Sequence, residues 1–209
     1  MYFNIRSTKV IFHRNFMKFI RSLEKKKIVL DIACADLKNA DYFKDLNYTG
    51  ADINMGRLEK GKKKCEDTDL YVVQCDILNI PFKEKKIDYV VSTHTFSHLG
   101  NNEDVLKAVT NLASLVGPAG KLFFNVKIIS DEIGVRIKDL LTGYFNDIED
   151  IQYGGVITEL WDSMFSVSLK QNIKKRWFLR KILLVLSWLV SNLDFIGPRS
   201  RVIYIAHNN

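Results

Sequence analysis

The sequence predicts an α/β fold: a doubly wound, seven-stranded sheet, mostly parallel, with an antiparallel terminal strand. Three observations predict it. Short, nearly continuous apolar runs of strand length recur along the first 130 residues, as expected of strands covered on both faces. Between them lie stretches with apolar residues at i, i+3 and i+4, the helical period. Apolar residues make up 47% and charged residues 26% of the 209, which are globular proportions and exclude a disordered chain.

The elements follow in order. Val10–Lys25 places Ile11, Phe16, Phe19, Ile20 and Leu23 on one side of a helix. Strands are expected at Ile28–Ile32, Tyr48–Ile53, Tyr71–Asp76, Ile87–Thr93 and Lys121–Val126. Asn102–Val116 repeats Val105, Leu106, Val109, Leu112 and Ala113 at helical spacing, and Gly117-Pro118 is expected to stop that helix. Asp131–Phe145 reads as a further helix. Asp150–Thr158 is expected as a strand broken at Gly154-Gly155, and Arg201–His207 as a strong last strand. Asn172–Leu193, basic and then very apolar, reads as a helix.

Charge is localised. Between Lys170 and Arg201 eight basic residues face one acid, Asp194, which accounts for the chain's whole net charge of +7. Such a patch suggests one anionic partner surface. The three cysteines, Cys34, Cys65 and Cys75, are odd in number and none are spaced C-x-x-C. A disulfide framework or zinc site is not expected, and a reducing cytosol fits. The opening residues are interrupted by Arg6, Lys9, Arg14 and Lys18 and are expected to carry no signal peptide. No apolar run reaches the ~20 residues of a membrane span.

In an open parallel sheet, ligands bind beyond the carboxyl ends of the strands. The first strand ends in Asp31 and a run of small residues that lets a ligand approach the backbone. Asp52 ends the second strand, 21 residues later, where a carboxylate can accept both hydroxyls of a ribose. Asp76-Ile77 follow the third, an acid for an exocyclic amine beside an apolar group for a ring.

Five pieces stand in order: VLDIACAD (Val29–Asp36), TGADIN (Thr49–Asn54), QCDILNIPF (Gln74–Phe82), IDYVVSTHTFSHL (Ile87–Leu99) and LVGPAGKLFFNV (Leu115–Val126). Together they resemble the class I S-adenosylmethionine-dependent methyltransferases, in particular the type 11 group, over about half the chain. The resemblance implies a Rossmann-like fold with S-adenosylmethionine as cofactor. It implies that Asp31 and the loop Ala33, Cys34 and Ala35 hold the methionine end. Asp52 with Ile53 would take the ribose, Asp76 and Ile77 would frame the adenine, and Ser92 would line the cofactor from below. It also implies a single methyltransferase domain over 1–209. Within it, 1–27 is a helical lead-in, 28–130 the cofactor-binding core and 145–200 an acceptor or cap region. Where the family has Gly-x-Gly-x-Gly, this chain has Ala33, Ala35 and Leu37. A catalytically silent cofactor-binding scaffold of the same fold is therefore the alternative.

A nicotinamide enzyme fits less well. A dinucleotide loop needs glycines to seat a pyrophosphate, and this loop has none and carries Asp36. S-adenosylmethionine has no phosphate, and its ammonium and sulfonium favour an acidic loop. For catalysis the candidates are His94 and His98, after the fourth strand, as a base toward a hydroxyl. Thr93, Thr95 and Ser97 could orient them, whereas His13 and His207 stand near the chain's extremities. Tyr144, Tyr153 and Trp161 line either an acceptor pocket or the core.

The expected acceptor is a small molecule or a sugar or glycan, methylated at oxygen. Helical spacing sets Arg176, Arg180, Ser187 and Ser191 in one stripe of the 172–193 helix. That helix either covers the sheet or lies in an anionic membrane interface, with Trp177 and Trp188 at headgroup level. A nucleic-acid partner is not expected, because the basic segment runs into apolar residues that suit phosphates poorly. The expected location is cytoplasmic, with peripheral contact at the inner face of the membrane.

Overall fold

The computed structural model describes residues 6–65, 70–127, 131–164 and 177–208. These form two compact units. One holds the described residues of Ser22–Asp150 and Ile203–Asn209, the other those of Met1–Arg21 and Ile151–Val202.

The larger unit is built on β1 (Ile28–Ile32), β2 (Asn47–Asp52), β3 (Tyr71–Gln74), β4 (Ile87–Ser92) and β5 (Val116–Lys127). Its helices are α2 (Met55–Lys64), α3 (Asn102–Leu115) and α4 (Asp131–Thr142). With β6 (Asp147–Tyr153) and β7 (Arg201–His207) the strands make one seven-stranded sheet in the order β3-β2-β1-β4-β5-β7-β6. The pairs β1–β2, β2–β3, β1–β4 and β4–β5 are parallel. The predicted fold class stands, a mixed seven-stranded sheet. From β1 the chain winds outward through β2 and β3, then returns to lay β4 on the other side. The strand order therefore reverses between β1 and β4, where a crevice opens.

β1 and β7 begin and end where their apolar runs do. β5 does not. It starts at Val116, and Gly117-Pro118, expected to end α3 in a turn, lies inside it. α3 stops one residue earlier, at Leu115. Pairing with β4 explains the difference: Ile87 pairs with Val116 and Tyr89 with Lys121, so Gly117–Gly120 bulge out opposite Asp88. A Cβ at Gly120 would come within 2.6 Å of the Asp88 carbonyl.

The predicted strand Asp150–Thr158 is cut by its glycines. β6 ends at Tyr153, and α5 (Val156–Ser163) begins after Gly155. Gly154 has φ +82°, and the amides of Gly154 and Gly155 donate to Asp194 Oδ1 at 3.0 and 2.8 Å. Thr158 donates to the same oxygen at 2.6 Å. The lone acid of the basic C-terminal window thus caps α5. In the same unit α1 runs Ser7–Arg21, earlier than expected. Its start is held by buried Asp162, which accepts from the Ser7 amide at 2.7 Å and from the Thr8 hydroxyl.

α6 spans Trp177–Ser191. The first part of the expected 172–193 helix, including Lys174, Lys175 and Arg176, lies outside the described residues, as do the side chains of Trp177 and Arg180. The serines of the predicted polar stripe face inward: Ser187 and Ser191 are buried. Phe178, Ile182, Val185, Leu186 and Leu189 are exposed, so the helix turns an apolar side to solvent. No helix among the described residues is long and apolar enough to cross a membrane.

α2 was not expected from the sequence. Only Leu58 and Gly61 of its ten residues are buried, which leaves no apolar period to see. Gly61 is there for Leu37. Leu37 is buried, with its side chain wedged between β2 and α2. A Cβ on Gly50 would lie 2.5 Å from Leu37 Cδ2, and one on Gly61 would lie 2.7 Å from Leu37 Cγ and from the Asp36 carbonyl carbon. Gly61→Ala should therefore destabilise by about 1–3 kcal/mol through overpacking, despite alanine's better helix propensity. Gly56→Ala on the same helix meets nothing closer than 3.5 Å and should be neutral or stabilising by up to ~1 kcal/mol. Urea denaturation of the pair checks this, and equal midpoints would reject the wedge.

Candidate active site

At the crevice lies a cavity of about 340 Å³. Ala33, Cys34, Ala35, Lys38 and Asn39 reach it from the β1–β2 connection. Asp52 and Ile53 come from the end of β2, and Arg57 from the first turn of α2. Thr93, His94, Thr95 and His98 come from the segment after β4. Seven predicted site residues therefore meet on one cavity wall: Ala33, Cys34, Ala35, Asp52, Ile53, His94 and His98. Asp31, Asp76, Ile77 and Ser92 are not part of that wall.

The loop keeps a glycine backbone without glycine. Ala33, Ala35 and Leu37 have φ of +59°, +57° and +56°. Each left-handed non-glycine residue costs roughly 1–2 kcal/mol, so the turn must be held by other contacts. Cys34 donates its amide to the Ala51 carbonyl at 3.1 Å, and Ala35 donates its amide to Asp52 Oδ2 at 2.8 Å. The other Asp52 oxygen accepts the Asn54 amide at 2.9 Å. Asn54 in turn caps α2, its side chain accepting from the Arg57 amide at 3.1 Å. Leu37 points into the core and leaves the cavity open.

Asp36, expected to face a cationic ligand, turns to α2 instead. Its Oδ2 meets Lys64 Nζ at 2.7 Å and its Oδ1 meets Arg57 at 3.8 Å. The Lys64 contact holds its carboxyl below the usual range.

Asp31 lies one layer behind the wall and is fully buried. Its Oδ2 accepts from Tyr48 Oη at 3.0 Å and from Asn39 Nδ2 at 3.2 Å. The same Asn39 amide reaches Thr93 Oγ1 at 3.1 Å, linking Asp31 to two cavity-lining residues. Asp31 Oδ1 finds no hydrogen-bond partner among the described residues. Burial pushes the Asp31 carboxyl up to about 7, against the opposing pull of Tyr48 and Asn39. Burial, reinforced by Asp31 and Asp52, drives the Cys34 thiol far above its usual range, which makes it inert as a nucleophile.

Asp76 is occupied with its own turn: its oxygens accept from the Leu78 amide at 2.9 Å and the Asn79 side chain at 3.1 Å. Ile77 is buried, and its carbonyl accepts from Asn111 at 2.9 Å. Ser92 is fully buried and donates to Thr95 Oγ1 at 3.1 Å, one step behind the wall. Ile53, by contrast, is 65% exposed at the cavity and offers a flat ring an apolar surface. His94 stands in the left-handed region, φ +59°, with its amide donating to Asn125 Oδ1 at 2.9 Å. Asn125 Nδ2 lies 3.4 Å from His94 Nδ1.

Sequence reasoning missed Lys38, Asn39, Arg57 and Asn125. Asn54 two residues after Asp52 was the available signal for Arg57, since an asparagine there marks a helix start. Asn125, a buried amide inside an apolar strand, signalled a required partner.

Residues 30–124 match the family model Methyltransf_11, a methyltransferase domain. The chain is 26% identical over 116 residues to the mouse tRNA (carboxymethyluridine(34)-5-O)-methyltransferase, covering 56% of this chain and 17% of that protein. It is 29% identical over 102 residues to a fatty-acid O-methyltransferase of Mycolicibacterium smegmatis, covering 47% of this chain and 36% of that one. The chain thus spans about a sixth to a third of the curated relatives it matches. Its fold is that of the N-methyltransferase NodS from Bradyrhizobium japonicum in complex with S-adenosylhomocysteine. The TM-score is 0.64 at 13% identity, over 96% of this chain and 87% of that one. Residues 30–124, a little under half of the chain, therefore form a methyltransferase domain of the type 11 group, with the fold of class I S-adenosylmethionine-dependent methyltransferases, and the cofactor of that family is S-adenosylmethionine.

The expectation of no nucleic-acid partner does not stand, because several matched relatives are named for methylating tRNA. That expectation rested on the C-terminal segment alone. It overlooked α2, where Arg57, Lys60, Lys62, Lys63 and Lys64 stand against one acid, Glu59, with Arg57 on the cavity wall.

The residues present fit the cofactor. Asp52 has lone pairs left for a ribose diol beyond the two amides it holds. Asp31, with an orphaned oxygen behind the wall, favours an ammonium nearby. Such a cation stabilises ionised Asp31, so binding and ionisation are linked. Affinity for S-adenosylhomocysteine, which keeps the ammonium, should rise several-fold between pH 6 and pH 8, and Asp31→Asn should flatten that rise in calorimetric titrations. Without ligand the sign reverses. The folded carboxyl titrates near 7 and the unfolded one near 4, so Asp31's contribution to stability is full below about pH 4 and is lost as pH climbs through about 7. Melting curves across that window check it.

Proposed function

We propose that this protein transfers a methyl group from S-adenosylmethionine to an oxygen of a carboxylate-bearing acceptor. The lining of the cavity carries the proposal. Among the described residues its one carboxylate, Asp52, already serves two backbone amides and the place of a ribose, while Lys38, Arg57, His94 and His98 supply cations and donors. Such a wall orients an anion and offers no carboxylate base for a hydroxyl. When bound, the cofactor supplies the methyl group: an acceptor lone pair forms the O–C bond as the S–C pair withdraws to sulfur, leaving a thioether and an ester. A carboxylate brings that lone pair already ionised, so positioning accounts for most of the rate. The names of the relatives support the same chemistry, since a carboxymethyl group and a fatty acid share a carboxyl group. On this reading the loop at Ala33–Ala35 and Asp52–Ile53 seat the cofactor, with Ser92 bracing Thr95 and Asp76 and Ile77 beside the adenine.

Full-length protein with methyl-labelled cofactor tests this. One arm takes an oligoribonucleotide containing carboxymethyluridine, the other a fatty acid. Label that mild alkali releases as methanol, from either arm, is the expected outcome, and the productive arm names the source. Only alkali-stable label, or none while the cofactor binds, would overturn it.

The location expected at the inner membrane face finds support in α6, whose exposed apolar residues recur at Phe178, Ile182, Val185 and Leu189, one side of a helix. Co-sedimentation with vesicles should rise with anionic lipid, fall with salt and weaken at least several-fold in Val185→Ser/Leu189→Ser. Indifference to both lipid charge and the substitutions would remove it.

A further inference from the structure

His94 is fixed in a way that decides what its ring can do. It follows β4 with a left-handed backbone, a conformation non-glycine residues keep only where their surroundings enforce it. Among the groups that hold it is Asn125 on β5, a buried side chain among Phe123, Phe124 and Val126. One end of the Asn125 amide faces the His94 backbone N–H, 2.9 Å from Oδ1. A backbone N–H can only donate, so that end is the oxygen. The other end is therefore the NH₂, which can only donate, and it faces His94 Nδ1 at 3.4 Å. Nδ1 must then carry the lone pair. A neutral imidazole has one N–H, and here it sits on Nε2.

We propose that Asn125 is a positioning residue that locks His94 in its Nε2–H tautomer, making the ring a hydrogen-bond donor to the acceptor substrate rather than a general base. The lock depends on the two Asn125–His94 contacts. Only the identity of the group receiving the hydrogen bond rests on methyl transfer at this cavity. A carboxylate acceptor fits a donor. One oxygen takes the methyl group, the other accepts from Nε2–H, and no proton has to leave. A hydroxyl acceptor would need the reverse, a bare Nε2, which this amide forbids. Asn125 thus biases the site toward acceptors that arrive as anions.

The tautomer is measurable in the ligand-free protein. Long-range proton–nitrogen correlation spectra of the ¹⁵N-labelled full chain at neutral pH resolve its four histidines, and loss of one set in His94→Gln assigns the ring. The expected pattern is pyridine-like Nδ1 and pyrrole-like Nε2. Asn125→Asp keeps an acceptor for the His94 amide but replaces the NH₂ with an oxygen that draws the proton to Nδ1, so the pattern should invert. The same variant should lose activity toward carboxylates by at least tenfold. A protonated Nδ1 in the unsubstituted protein overturns the proposal outright, and so does an Asn125→Asp spectrum with the original pattern. Should Asn125→Asp not fold, the unsubstituted spectrum decides alone. Because that readout needs no turnover, a correct tautomer with alkali-stable product would refute the carboxylate acceptor while leaving the lock in place.

Discussion

The site depends on the two hydrogen bonds that Asp52 accepts. Its Oδ2 takes the Ala35 amide and its Oδ1 the Asn54 amide, at 2.8 and 2.9 Å. One carboxylate thereby ties the turn out of β1, the end of β2 and the start of α2. Hydrogen bonds to a charged group contribute about 1.5–3 kcal/mol each. That offsets much of the left-handed strain at Ala33 and Ala35, which lie on either side of Cys34 in the turn. Removing this carboxylate would free a strained turn as well as delete the proposed ribose contact. Loss of cofactor binding in such a variant has two causes, and an amide in its place, which still accepts one hydrogen bond, separates them.

The missing glycines have in effect moved. A glycine loop gives room by lacking side chains in the loop itself. This chain keeps the left-handed turn, puts Leu37 at its third position, and places the glycines on the elements that receive the leucine, Gly50 on β2 and Gly61 on α2. The same closeness of loop, strand and helix is reached with the side chain buried as core. This removes the physical ground for treating the altered loop as a broken one, since of its three replaced positions only Ala33 and Ala35, with one methyl each, line the cavity.

What the sequence made legible follows from where the information lies. β1 and β7 could be bounded from composition because an apolar run between polar residues is a local signal. The start of β5 could not, because pairing with Ile87, distant in sequence, sets it. α2 escaped because a helix that buries one leucine and one glycine has no period. At the site, Asp52 and the loop were legible from their order along the sheet. Lys38, Arg57 and Asn125 were not, since each matters only through a neighbour that folding brings to it. His94 was visible as a residue, but the left-handed backbone and the facing amide on which its proposed donor role rests are both tertiary facts. Asp194 is a similar case. In the sequence it is the lone acid of a basic segment, and in the fold it caps a helix that begins at Val156.

These features converge on the charge balance of the reaction. Burial raises the Asp31 carboxyl to about 7, a sign that charges behind this wall are poorly solvated. With the proposed carboxylate acceptor, a sulfonium and a carboxylate would attract strongly in such surroundings, and transfer of the methyl group would turn both into neutral products. The transition state, with charge already waning on each partner, suffers less from poor solvation than the separated ions do. A site with this economy of water needs a cation-favouring side for the donor and a donor-rich side for the acceptor. The cavity has both: Asp52 at the end of β2, with Asp31 one layer behind, and Lys38, Arg57 and His94 around its wall. A neutral hydroxyl acceptor would gain nothing from this arrangement, because its proton would have to leave as a new charge into a wall whose one carboxylate among the described residues, Asp52, is already committed. On the proposed reading, the preference for an ionised acceptor would rest on the charges and donors lining the crevice rather than on any single residue.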